Sequence, residues 1–131
     1  MKWREENLDL LQNLEFAIIE VWRANPDMTD HTARRAYEAG RQYYRAVNRG
    51  LPPRPPELTG VDAAAFEAIK RMSDYLVGRG PAPEPKSKTI PSPIPLETLI
   101  ACLQELGKSV ERHTKMGGRQ GYLSFVEKYL P

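Results

Sequence analysis

Leu51-Pro52-Pro53-Arg54-Pro55-Pro56-Glu57-Leu58-Thr59-Gly60 decides how the rest of this chain is read. Proline lacks an amide proton and its ring clashes with the preceding helical turn, so this stretch is no helix interior. A second such stretch runs from Pro81 to Pro95, and the two together hold ten of the chain's twelve prolines. On both sides of each the apolar residues recur with a helical period, and the alternating Val-, Ile- and Thr-rich runs of strands are absent. The predicted fold is therefore all-α: a five-helix bundle with two extended proline-rich connectors, 51–60 and 79–94, in one helical domain over residues 1–131.

Immediately before the first connector lies a predicted second helix, about 30–49, with Thr29 as N-cap and Gly50 as its C-terminal stop. Ala33, Tyr37, Gly40, Tyr44 and Val47 line one side of it, flanked by Ala36 and Tyr43. Arg34, Arg35, Arg41, Arg45 and Arg49 crowd the other side. The small residues Ala33, Ala36 and Gly40 invite close approach of another helix. After the connector, a third helix of about 61–78 carries Val61, Ala65, Ile69, Met72 and Leu76 on one stripe.

The first helix, about 4–24, ends ahead of Pro26. Leu10, Leu11, Leu14, Ile18, Val21 and Trp22 share an arc that Leu8 and Ile19 widen to about half the circumference, while Phe16 points elsewhere. So wide an arc needs two neighbours, within the fold or from a second copy. The short Asn25–Thr29 link predicts that the first two helices are antiparallel neighbours. In the fourth helix, about 95–116, Leu96, Leu99, Leu103, Leu106 and Val110 form a narrow seam. Met116-Gly117-Gly118 reads as its end, and a fifth helix of about 119–130 follows. The second connector, at about 3.1 Å per extended residue, is long enough to cross a bundle.

At 131 residues the chain suits one core, and its 19 basic against 17 acidic side chains exert no global pull on nucleic acid or lipid. No apolar run approaches the roughly 20 residues of a membrane helix. Met1-Lys2-Trp3-Arg4-Glu5-Glu6 places acids where an export signal has its apolar core. The single cysteine, Cys102, forms no internal disulfide. The expected location is cytoplasmic, without membrane contact.

Chemistry-bearing patterns are few. Two distant histidines and one cysteine give no metal-ligand spacing, and Asp27, Asp30 and His31 read as charge and capping at a helix start. No metal and no cofactor is expected, and no catalytic residue is assigned. Cys102 reads as a small core hydrophobe and His113 as a hydrogen-bonded core residue. Glu15 falls inside the apolar arc of the first helix. It either sits at a packing boundary and reaches solvent, or forms a buried ion pair with an arginine of the second helix or with His113.

Two basic clusters stand out. Arg34, Arg41, Arg45 and Arg49 form a face suited to nucleic-acid phosphates, to a protein partner, to the acidic first helix, or simply to solvent. Arg112, Lys115, Gly118 and Arg119 surround the expected start of the fifth helix, where free amides would attract an anion; helix-end charge and an ordinary glycine turn explain them equally. Pro81-Ala-Pro-Glu-Pro85 and Pro91-Ser-Pro-Ile-Pro95 read as ligands for proline-binding modules or as stiff spacers packed on the bundle, with Tyr37, Tyr43, Tyr44 and the tryptophans as the aromatic grooves that hold them. The expected function is that of a non-catalytic interaction or scaffolding module. It would form a homodimer through the first or fourth helix and bind an unidentified protein partner. The alternative is a nucleic-acid-binding protein using the arginine face.

Overall fold

A computed structural model describes residues 5–83 and 93–127, and the side chains of Asp30 and of residues 113–127 lie outside that description. The described residues form four packed helices: α1 (Leu8–Ala24), α2 (Asp30–Asn48), α3 (Gly60–Leu76) and α4 (Leu96–Glu127). No strand occurs among them.

There are four helices rather than five because α4 continues through Gly117 and Gly118 for 32 residues. A glycine ends a helix by adopting left-handed backbone angles, as Gly50 and Gly78 do at φ +72° and +78°. A glycine that stays helical costs only about 1 kcal/mol relative to alanine and keeps its amide proton. Good helix formers on both sides can therefore carry a helix across it.

The other helix ends follow local chemistry. Thr29 caps α2 by accepting from the Thr32 amide at 3.2 Å. At the far end, the Leu51 amide bonds the Ala46 carbonyl at 3.0 Å and the Gly50 amide bonds that of Val47 at 3.1 Å. Arg79 and Gly78 close α3 in the same way on Asp74 and Tyr75. Both ends are Schellman motifs, each with its glycine at the left-handed position.

Contacts fix the directions. Arg35 pairs with Asp62, Gly40 faces Ile69, and Tyr44 bonds Asp74, so α2 and α3 run parallel. Along α4 the order reverses, with Arg34 against Glu111, Tyr37 against Gly107 and Gly40 against Leu103. The α1–α2 pair is not the neighbour pair expected from their short link. α2 packs against α4 and α3, and α1 against α3 and less extensively α4. The small-residue face of α2 is already occupied by α3 and α4. A five-residue link reaches about 17 Å, enough to cross a diagonal of about 13 Å between helices packed 8–10 Å apart.

A parallel α2–α3 pair requires the chain to return the whole length of the bundle between them. Leu51–Thr59, nine extended residues at about 3.1 Å, spans about 28 Å, matching the 19 residues of α2 at about 1.5 Å each. The connector that crosses the bundle is thus the first, not the second. The second starts and finishes at one end: the Ile94 amide bonds the Leu76 carbonyl at 2.9 Å. α4 is therefore antiparallel to α3.

The core holds the predicted stripes, including Leu14, Ile18, Trp22, Tyr37, Tyr44, Ile69, Leu76, Leu99, Leu103 and Leu106. Phe66, which lay outside the predicted α3 stripe, is also buried and meets the Tyr43 ring edge-on at 6.1 Å between centroids. The tightest approach is at Gly40, where an added Cβ would lie 2.8 Å from Ile69 Cγ2 and 3.7 Å from Leu103. Ile69 is β-branched and fully buried, so its methyl has little freedom to move. Gly40→Ala is expected to lower stability despite its better helix propensity of about 1 kcal/mol, because overpacking typically costs about 1–3 kcal/mol. A denaturation midpoint at or above that of the parent would show that the three helices do not need this contact.

Candidate functional site

Alanines at Ala17 and Ala24 of α1 and Ala64 and Ala68 of α3 are too short to fill the space between these helices. A groove of about 600 Å³ remains. Phe16, Val21 and Met72 add apolar lining, and Glu20, Glu67 and Arg71 are polar lining residues, with Pro83 of the second connector beside them. Glu20 is paired with Arg23 at 3.2 Å. Glu67 and Arg71 are exposed and form no ion pair among the described residues.

The predicted arginine face lies elsewhere, and much of it is engaged. Arg34 pairs with Glu111 of α4 at 3.5 Å, Arg35 with Asp62 of α3, and Arg41 with Glu38 one turn away. The hydrogen bond from Arg41 holds the Glu38 carboxyl below its ordinary pKa, with Gln42 and the Arg34 charge adding to the effect. None of the acids in these pairs belongs to α1. Arg45 and Arg49 make no ion pair among the described residues.

In the second basic cluster, Arg112 reaches Ser109 at 3.2 Å and Glu105 at 3.5 Å. Gly118 and Arg119 lie inside α4, so the helix start on which the anion reading relies is absent. Amides within a continuous helix are bonded to carbonyls four residues back. The side chains of Lys115 and Arg119 lie outside the described residues, as does that of His113. Since Arg34 meets Glu111, Arg112 sits near the start of α2. Arg49 is fifteen residues further on, about 22 Å along the helix, so only the Arg34 end of the arginine face lies near Arg112.

Glu15 is 1% exposed, which excludes the solvent-reaching boundary position. It has an interaction within the fold. Trp22, Tyr37 and Tyr44, three of the aromatic residues offered as grooves for the prolines, are buried in the core. Tyr44 braces α2 against α3. Its hydroxyl proton is shared between Asp74 Oδ1 at 2.5 Å and the Lys70 carbonyl at 3.0 Å. Burial, reinforced by the Asp74 carboxylate, raises the Tyr44 pKa well above the ordinary phenol range. Lys70 Nζ lies 3.3 Å from the other Asp74 oxygen, whose charge raises the lysine pKa.

Among the described residues no group of three or more His, Cys, Asp or Glu side chains is placed to hold a metal ion. No described helix is long and apolar enough to cross a membrane. No protein-family model, curated protein or solved structure matches this chain.

Sequence reasoning missed the α1–α3 groove. Its signals were Phe16, off the main arc, and the alanines of the third helix, which only become a groove when α3 rather than α2 lies beside α1. Cys102 carries its own test. Burial, with the Glu105 charge, pushes its thiol up to about 12. Near neutral pH it should remain protonated and resist an aromatic disulfide reagent until the chain unfolds. Labelling in native buffer as fast as in denaturant would contradict this enclosure.

Proposed function

We propose that this chain is a non-catalytic helical interaction module that self-associates, two copies meeting across the α1–α3 groove. The observation that carries the reading is the pair Glu67 and Arg71. They are one turn apart on α3, exposed beside an apolar-lined groove and paired with nothing among the described residues. A two-fold axis between them sets Glu67 of one copy opposite Arg71 of its partner, and the reverse. Such an isologous contact buries the remaining apolar surface of Val21, Ala24 and Ala64 while satisfying both charges. The seam of α4 supports this choice of face: Leu99, Leu103, Leu106 and Val110 are fully buried within one chain.

Light scattering at micromolar concentration should give twice the chain mass of 14.9 kDa. Glu67→Arg alone should shift the population toward monomer, and Glu67→Arg with Arg71→Glu should restore the dimer by exchanging the charges. A monomeric parent protein, or a double variant no better than the single, removes the self-association.

The nucleic-acid reading retains Arg45 and Arg49 as its support. With Arg34, Arg35 and Arg41 paired, few cations remain to displace counterions. Fluorescence anisotropy with short DNA and RNA duplexes and single strands at low salt is expected to show no binding. Salt-sensitive binding lost in Arg45→Ala/Arg49→Ala would reassign the surface to phosphate contacts.

A further inference from the structure

The first connector has an outward face that its structural task does not use. Each proline fixes φ near −65°, and the residue ahead of each proline is driven to extended or polyproline II geometry. These two rules cover every position from Leu51 to Pro56. The exposure pattern has the matching period of three. Pro53 and Pro56 are half-buried against the bundle, whereas Leu51, Pro52, Arg54 and Pro55 are exposed. A polyproline II helix has three edges, so one edge docks on the bundle and two face solvent.

Those two edges carry a distinctive set of side chains. Leu51, at 55% exposure, is the one large hydrophobic residue exposed among the described residues. It forms an apolar–proline pair with Pro52, and one turn on, about 9 Å away, Pro55 is preceded by Arg54, whose methylene stem is apolar and whose head is a cation. Arg49 and Arg54 are both exposed and make no ion pair among the described residues. Arg54 therefore stands on the strut between two solvent-facing prolines, Pro52 and Pro55, themselves three apart, while Arg49 caps α2 ahead of the left-handed Gly50.

We propose that residues 51–56 are a preformed polyproline ligand for a proline-recognition domain of the SH3 type, one whose aromatic groove is flanked by carboxylates, with the Arg54 guanidinium as the cation. Leu51-Pro52 and Arg54-Pro55 enter adjacent slots of the aromatic groove, and a guanidinium meets the acidic flank. The strut is held at both ends. The Schellman motif at Gly50 fixes its start, and Thr59 leads directly into α3. Pro53 and Pro56 hold its middle. Ordering a free peptide costs conformational entropy at binding, and here folding has already met that cost. This surface is separate from the α1–α3 groove, and neither reading depends on the other.

The test titrates the intact chain into a panel of isotopically labelled SH3 domains and follows their groove resonances. At least one domain should bind with groove-localised shifts. Pro52→Ala/Pro55→Ala and, separately, Arg54→Glu should each weaken that binding by roughly tenfold or more. Arg54→Glu should leave the melting temperature unchanged, and the proline variant should lower it only slightly, through the greater freedom of its unfolded chain. No groove shift in any domain at about 1 mM chain overturns the proposal. So does binding that neither connector variant weakens. A free 49–58 peptide that binds where the intact chain does not also overturns it, since the docked strut would then be hiding its ligand edge.

Discussion

The bundle depends on one close approach, at Gly40, where α3 and α4 come against α2 with no side chain between. Ile69 Cγ2 occupies the space a Cβ would need, and Leu103 lies within van der Waals distance. Ala36 and Ala33, one and two turns before, are buried on the same side of α2. A face this flat accepts two helices at once, and both have stripes to bury there. α1 is left to pack on α3 and α4, across the bundle from the helix that follows it in sequence.

That arrangement dictates the path of the connectors. With α2 and α3 parallel, a flexible linker would have to be ordered over the full bundle length, at a cost of about 1–2 kcal/mol per residue. Prolines limit the unfolded chain to nearly the conformation required, which lessens that cost. Rigidity and exposure then come together. A strut docked by one of its three edges presents the other two in fixed geometry. The second connector has a different task, because its described ends meet at the Leu76–Ile94 hydrogen bond.

Charge placement divides the surface by use. Arg34, Arg35 and Arg41 tie α2 to α4, to α3 and to its own Glu38. Exposed pairs of this kind are worth about 0–1 kcal/mol each, so their main effect here is to occupy the cations. Glu67 and Arg71 beside the groove, and Arg45, Arg49 and Arg54 along the end of α2 and the strut, take part in none of these pairs among the described residues. The buried polar contact of Tyr44 with Asp74 belongs to neither. It fixes the register of α2 against α3, and leaving Asp74 without that hydroxyl would cost about 1–3 kcal/mol.

The sequence by itself determined the helices, most of their ends and their buried stripes. These are local matters: a proline removes an amide at its own position, a threonine caps the turn that follows it, and a period of 3.6 reports one apolar face. Leu99, Leu103, Leu106, Ala65, Ile69 and Met72 were legible for that reason. The glycines were only partly legible, because Gly50 and Gly117 look alike until the chain on either side shows whether it bends or continues. Only the tertiary structure decided which faces meet. A stripe says that it must be covered and not by what, so the order of helices around the bundle, the parallel pair and the groove of alanines had no local signature. The same holds for the charges between helices: the arginine face reads alike in sequence whether it is free or paired, and Glu111 and Asp62 became its partners only once α2 was seated between α3 and α4, whereas Glu38 is a local partner one turn from Arg41.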